Sequence, residues 1–160
     1  MFEYRLATRE DLETIWAKDI ADNPGDARWL RWRDQYLEYN ELGKAATFVV
    51  LNDGDPIGQI TVLFSPDCSA VKGRPMLCGM GVANMNAFRI EKKYEGQGHI
   101  SALVKMAEKY AKDKGVSYLT IGCEARETRN LAIYLHFGYT ELVTSMLDGG
   151  ELVLYYGKRI

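Results

Sequence analysis

The chain has 160 residues, and 47% of them are hydrophobic, which predicts one globular domain over residues 1–160. Its formal net charge is −2. This balance gives no basic surface for nucleic acid or an anionic membrane, and no apolar run approaches the ~20 residues that cross a bilayer. Three cysteines without metal-ligand spacing (Cys68, Cys78 and Cys123) suit buried thiols in a reducing cytoplasm, and no metal site is expected.

The N-terminal part predicts a strand followed by two helices. "FEYRLAT" alternates as a strand does, and Thr8 with Asp11 three residues later resembles a capping box. "NPG" at 23–25 ends this first helix, and Asp26 is the expected cap of the second. The second helix carries an aromatic stripe that is either core packing or a ligand wall: Trp29, Trp32, Tyr36 and Tyr39.

The middle of the chain predicts three strands. "AATFVVL" and "PIGQITVLF" form a β-hairpin around the Asp53-Gly54 turn. The stretch 65–81, with its prolines and glycines, is expected to be irregular and mobile. "ANMNAFRIE" alternates again and is expected to run as a strand into the turn "KKYEGQGH".

The C-terminal part predicts a helix, a buried strand, a short helix and a closing hairpin. Apolar residues between 100 and 111 keep a 3.6-residue period, and Gly115 ends that helix. "VSYLTIGC" is a buried strand, a short helix covers 128–137, and two strands follow around "DGG". The order β α α β β β α β α β β predicts a mixed α/β fold, with a mostly antiparallel sheet and one central parallel βαβ crossover.

The turn "EGQGHIS" combines a strand end, two glycines and a helix start, which together can bind an anion. The first helical N–H groups have no partner within the helix, and the helix dipole favours negative charge there. Gly96 and Gly98 either serve the turn geometry alone or let a phosphate approach the main chain. A P-loop is excluded because no Lys-Ser or Lys-Thr follows. A dinucleotide fingerprint would use Ser101 as its third small residue. However, that fingerprint normally lies in the first βα unit of a parallel sheet, whereas a hairpin precedes the motif here.

"FRIEKKYEGQGHISALVKMAEKYAKDKG" resembles the acyl-coenzyme A signature of the GNAT superfamily of acyltransferases, and "NLAIYLHFGYTEL" resembles that family's second signature. The resemblance implies acetyl-CoA as co-substrate, with Tyr134 as the acid that protonates the departing thiolate. It also implies that Phe88 and Ile90 hold the pantetheine arm through backbone groups and that the turn wraps the pyrophosphate. Glu95 and Ile100 depart from the signature. The implied cofactor-binding residues are Phe88, Ile90, Glu95, Gly96, Gln97, Gly98, His99, Ile100, Ser101 and Asn130.

Other polar residues near these segments have two possible roles. Glu91 and Glu124 are candidate bases, or else solvated carboxylates at strand ends. Asn84 and Asn86 could orient a substrate or a water. His99 is either within reach of phosphate or, as we expect, simply an exposed residue at the helix start.

The resemblance predicts an acetyltransferase in which a primary amine attacks the thioester directly in a ternary complex. The acceptor is a small-molecule or peptide amine of unknown identity, lying against the two N-terminal helices and the last hairpin. A non-catalytic acyl-CoA sensor of the same fold and, more remotely, a nicotinamide-dependent oxidoreductase are the alternatives. A monomer and a homodimer are both compatible with the sequence.

Overall fold

The computed structural model describes all residues 1–160 and contains seven strands and four α-helices in the predicted order. The elements are β1 (Phe2–Leu6), α1 (Arg9–Asp22), α2 (Arg28–Glu41), β2 (Ala45–Asn52), β3 (Asp55–Leu63), β4 (Val82–Ile90), α3 (His99–Asp113), β5 (Tyr118–Glu124), α4 (Thr128–His136), β6 (Glu141–Asp148) and β7 (Glu151–Arg159). None of the helices is long and apolar enough to cross a bilayer.

The strands form one seven-stranded sheet in the order β1-β2-β3-β4-β5-β7-β6. β4 and β5 are parallel and are joined through α3, which confirms the predicted crossover. The closing hairpin places β7 beside β5, so that β6 forms an edge of the sheet. The fold is therefore the mixed α/β, mostly antiparallel sheet predicted from the sequence.

The chain divides into two compact units, and β3, β4 and α3 each contribute residues to both. The first unit comprises Met1–Thr61 and Ala87–Ala107, and the second comprises Val62–Asn86 and Glu108–Ile160. In the first unit β2 is buried along nearly its whole length, as expected for a central strand. In the second unit the core includes Leu119 and Ile121 of β5 together with Tyr139. The assignment of a single domain over 1–160 stays a prediction.

The starts of α1 and α2 show how far local sequence controls these helices. Thr8 and Asp11 form the predicted capping box, since each side chain accepts the backbone N–H of the other residue. The prediction for Asp26 is only approximate. The cap position of α2 is Ala27, without a side-chain bond, but the Asp26 carboxylate accepts the N–H of Arg28, the first helical residue.

The irregular segment between β3 and β4 is anchored within the second unit. Val71, Leu77 and Cys78 in this segment are buried, and the Thr120 hydroxyl of β5 donates to the Leu77 carbonyl at 2.7 Å. The Cys78 thiol also lies 3.5 Å from the Leu63 carbonyl. The segment is irregular, as predicted, but these contacts argue against the free mobility expected from its glycines and prolines.

Candidate active site

In the first unit, a strand end, a 3₁₀ turn and the start of α3 build the predicted glycine turn. β4 ends at Ile90, and the next backbone N–H, that of Glu91, donates to the Ile57 carbonyl at 2.9 Å. The 3₁₀ turn Lys92–Tyr94 follows, and Glu95 is exposed and extended, with φ −62° and ψ 152°. This connection brings the chain to the N-terminus of α3 within a few residues.

Gly96 and Gly98 both adopt left-handed backbone conformations, with φ of 73° and 86°. Residues with a Cβ atom reach this region only at a cost of roughly 1–2 kcal/mol. At both positions an added Cβ would meet no atom within 4 Å, so the surroundings leave the main chain accessible. The backbone conformation thus accounts for glycine here, and the open space above it leaves room for a ligand to approach.

The first backbone amides of α3 have no hydrogen-bond partner within the helix. The Ala102 N–H donates to the Gly98 carbonyl at 3.1 Å, and the amides of residues 99–101 lie too early in the helix for such a bond. The Gln97 side chain donates to the Lys93 carbonyl at 3.3 Å, so its amide group braces the turn. Unpaired amides, the helix dipole and open space over two glycines fit a pyrophosphate group.

His99 is buried, with 4% of its surface exposed, so the expectation of an exposed helix-start histidine is wrong. Its Nδ1 lies 2.7 Å from the Tyr4 hydroxyl, and its Nε2 lies 3.3 Å from the Gln97 side-chain oxygen. Its ring also packs against Phe2, with the centroids 4.4 Å apart. Phe2, Tyr4 and Gln97 therefore hold the imidazole ring, which leaves the main chain of His99, and not its side chain, for the predicted anion.

The last residues of β4 continue beyond the parallel pairing with β5, which ends at Met85 and Ile121. Ala87 follows with φ 49°, a left-handed conformation that is uncommon for a residue with a Cβ and is often found at functional sites. Ile90 turns its side chain toward Gly58, where an added Cβ would lie 2.6 Å from the Ile90 Cδ1. The backbone roles of Phe88 and Ile90 stay predictions.

Arg89, which the sequence analysis did not single out, contacts the aromatic stripe of α2. Its guanidinium lies 4.2 Å from the centroid of Trp29, and its Nη1 lies 2.9 Å from Asp19 Oδ2. Burial raises the pKa of Asp19 although Arg89 opposes that shift. Tyr36 is buried and packs against Trp16, so this part of the stripe is core, whereas Trp29 is only half-buried.

In the second unit, Tyr134 on α4 has only 9% of its surface exposed. Burial raises the pKa of its hydroxyl to about 12, and Cys123 and Glu127 add smaller electrostatic contributions in the same direction. Cys123 is itself buried, and its thiol lies 3.3 Å from the Glu124 carbonyl. The phenol at this position therefore keeps its proton at neutral pH.

The residues considered as bases or as orienting groups already have partners. Lys18 donates to Glu91 at 2.9 Å, and Arg126 donates to Glu124 at 2.9 Å. The Asn84 amide is buried and donates to the Thr120 hydroxyl at 2.9 Å. Asn130 is exposed on the first turn of α4. The structure contains no group of three or more His, Cys, Asp or Glu side chains that could hold a metal ion.

Comparisons with known proteins agree with this fold. The model of the acetyltransferase (GNAT) family matches residues 7–139. An N-acetyltransferase from Staphylococcus aureus Mu50 shares 18% identity and a TM-score of 0.73, covering 99% of this chain and 98% of that one. A ribosomal-protein-alanine N-acetyltransferase from Brucella melitensis gives 18% and 0.73, covering 99% of both chains. PaiA N-acetyltransferase from Thermoplasma acidophilum, solved in complex with coenzyme A, gives 17% and 0.67, again covering 99% of both. No curated protein sequence matches this chain.

Proposed function

Because the chain belongs to the GNAT family of acetyltransferases, we propose that it transfers the acetyl group of acetyl-CoA to a primary amine by direct attack in a ternary complex. The amine nitrogen bonds to the acetyl carbon, the carbon–sulfur bond breaks, the amine loses one proton and the thiolate gains one. The observation that carries the proposal is the turn at Gly96 and Gly98, where open space at two glycines comes directly before helical amides that have no partner. Three reduced, buried cysteines suit a cytoplasmic location.

The glycine turn supplies the binding site for the pyrophosphate. Hydrogen bonds from neutral donors to a charged acceptor contribute about 1.5–3 kcal/mol each, and backbone donors survive any substitution except proline. Glu95 brings a negative charge to this turn, but it is exposed, and two exposed lysines, Lys92 and Lys93, precede it. Exposed charges of this kind contribute about 0–1 kcal/mol, so the backbone donors dominate.

We propose that Tyr134 donates the proton to the departing sulfur. A hydroxyl with a pKa of about 12 remains protonated throughout the working pH range, which a proton donor requires. Transfer of this proton from Tyr134 to the thiolate of a thiol with an ordinary pKa (~8.5) would be unfavourable by roughly 5 kcal/mol. A buried site also disfavours the thiolate, which raises its pKa and narrows that gap as the carbon–sulfur bond breaks.

The amine must arrive deprotonated. For a lysine-like amine with a pKa near 10.4, deprotonation at pH 7 costs roughly 4.6 kcal/mol. Glu91 and Glu124 are held in ion pairs, so we propose that solvent, rather than either carboxylate, takes this proton. The ion pairing of both candidate carboxylates also favours one alternative function, a non-catalytic acyl-CoA binder of the same fold.

The test combines ligand binding with turnover. Acetyl-CoA or CoA at ~100 times its dissociation constant adds about 2.7 kcal/mol to the free energy of unfolding, which raises the melting temperature by roughly 5–10 °C. NADH is the matched control and is expected to give no shift. No shift with either CoA species would overturn the proposed binding site.

Turnover separates the enzyme from the binder. Release of the CoA thiol is followed with a panel of amines, and Tyr134→Phe is expected to lower kcat by about 100-fold or more while the CoA-induced shift is kept. An acyl-CoA binder would show the shift but no amine-dependent thiol release. An unchanged kcat in Tyr134→Phe would remove Tyr134 from the mechanism.

A further inference from the structure

We infer that Arg74 and Tyr155 form a binding site for a carboxylate and that the amine acceptor is therefore a small molecule carrying a carboxylate group, such as an amino acid. The inference rests on the proposed function and specifies its substrate class. Arg74 lies in the segment between β3 and β4, and Tyr155 lies on β7. Both residues belong to the second unit.

The Arg74 guanidinium is positioned without being neutralised. Its Nη1 donates to the Tyr155 hydroxyl at 3.1 Å, and no carboxylate forms an ion pair with it. A guanidinium has five N–H donors in a planar fork that matches a carboxylate, so most of its donors remain available. Arg74 is half-exposed, so a ligand can reach it from solvent.

The Tyr155 hydroxyl completes this arrangement. It accepts a hydrogen bond from Arg74, so its own proton is left to be donated to another oxygen. Burial raises the pKa of the phenol, which therefore keeps that proton at neutral pH. One guanidinium and one phenol together present a single positive charge and two kinds of donor, which suits a monoanionic carboxylate. Asp148 acts electrostatically on the same phenol, and its negative charge disfavours a doubly charged phosphate more strongly than a singly charged carboxylate.

The Tyr155 ring packs directly against strand β5. Tyr155 lies opposite Gly122 of β5, and an added Cβ on Gly122 would be 2.7 Å from the Tyr155 ring. A residue with a Cβ atom at position 122 would collide with this ring, so the packing here requires glycine. The next residue, Cys123, points to the other face of the strand and interacts electrostatically with Tyr134, the proposed acid. One strand therefore holds the carboxylate site on one face and a neighbour of the proposed acid on the other.

A purely structural role does not account for Arg74. The segment that carries it is already held by the buried side chains of Leu77 and Cys78 and by the bond from Thr120 to the Leu77 carbonyl. The Arg74 carbonyl also accepts the N–H of Leu77 at 2.9 Å, so the backbone is ordered without the guanidinium. One hydrogen bond to an uncharged phenol uses only one of the five donors of this long charged side chain, whereas a bound carboxylate would use several of them.

The experiment compares matched acceptors. Common L-amino acids and their carboxamides, which keep the amine but lose the negative charge, are tested with acetyl-CoA by thiol release. The expected kcat/KM favours the carboxylate member of the best pair by about 10- to 100-fold. Arg74→Gln and Tyr155→Phe are each expected to reduce that preference while leaving acetyl-CoA binding unchanged. Lys72→Gln, an exposed charge two residues away, is the matched control and should keep it.

If Arg74→Gln lowers kcat/KM equally for the amino acid and its carboxamide, Arg74 has a structural role and the inference is overturned. A preference of the wild-type protein for the carboxamide would overturn it as well. Calorimetric binding of the same amino acids to the CoA-loaded protein makes the test independent of turnover. Carboxylate-dependent binding that is lost in Arg74→Gln, without thiol release, would retain this site and reject the proposed enzyme. Turnover of amines with no carboxylate dependence would retain the enzyme and reject this site.

Discussion

Replacing Gly98 by alanine tests whether the turn before α3 binds coenzyme A. Gly98 has φ 86°, and an added Cβ would meet nothing within 4 Å, so strain rather than collision destabilises the variant. Left-handed alanine costs roughly 1–2 kcal/mol, and the lower entropy of the unfolded chain offsets about 0.4–1 kcal/mol of that. We expect a net loss of about 1 kcal/mol, which lowers the melting temperature by roughly 2–4 °C.

Gly54 provides a matched control for this variant. It lies in the β2–β3 turn with φ 85°, and an added Cβ there also meets nothing within 4 Å. Gly54→Ala and Gly98→Ala should therefore lose similar stability. Only Gly98→Ala places a methyl group where a phosphate would approach the main chain, so only that variant should bind CoA more weakly, by about 10- to 150-fold if one hydrogen bond to the charged group is lost.

Calorimetric titration of CoA into the two variants and the wild type measures this difference. Wild-type affinity in Gly98→Ala would refute the assignment of the turn to the pyrophosphate. A similar loss of affinity in Gly54→Ala would show that the effect comes from general destabilisation. A fall in melting temperature confined to one of the two variants would contradict the strain estimate itself.

Three further predictions concern ionisable groups. With a saturating acetyl-CoA concentration, kcat/KM should rise about tenfold per pH unit below the pKa of the amine. Ionisation of Tyr134 should not lower kcat/KM below pH 10, because the pKa of Tyr134 is about 12. A decrease of kcat/KM below pH 10 that disappears in Tyr134→Phe would contradict this prediction. Burial opposes the shift, but Arg5 and Thr8 hold the pKa of Asp11 below its ordinary value. Asp11 thus stabilises the protein above pH ~4 and loses this contribution as the pH falls further. The free energy of unfolding, measured with urea, should therefore fall less steeply with decreasing pH in Asp11→Asn than in the wild type. The three buried cysteines, with the pKa of Cys78 raised by burial to about 11, should react with a thiol reagent only after denaturation; rapid labelling of the native protein would contradict their burial.

Local sequence determined the elements of this protein and the position of its glycine turn. The capping box at Thr8, the Asp53-Gly54 hairpin and the left-handed glycines before α3 are short-range features, because each depends on residues a few positions apart. The period of apolar residues in α3 likewise predicted its buried face, including Leu103 and Ala107. Together with the family resemblance, these features were enough to predict the fold class.

Only the tertiary structure decided which side chains meet. His99 pairs with Tyr4 across 95 residues of sequence, and Arg74 reaches Tyr155 across 81. No periodicity or turn chemistry encodes such a pair, since its partners are brought together by strand pairing and chain crossover. The same long-range pairing placed β7 rather than β6 beside β5 and thereby set Tyr155 over Gly122. An imidazole that was expected to be exposed at the helix start is buried, and an arginine in an irregular segment became a candidate ligand for substrate. Packing rather than local pattern assigns side chains to the interior or to a site.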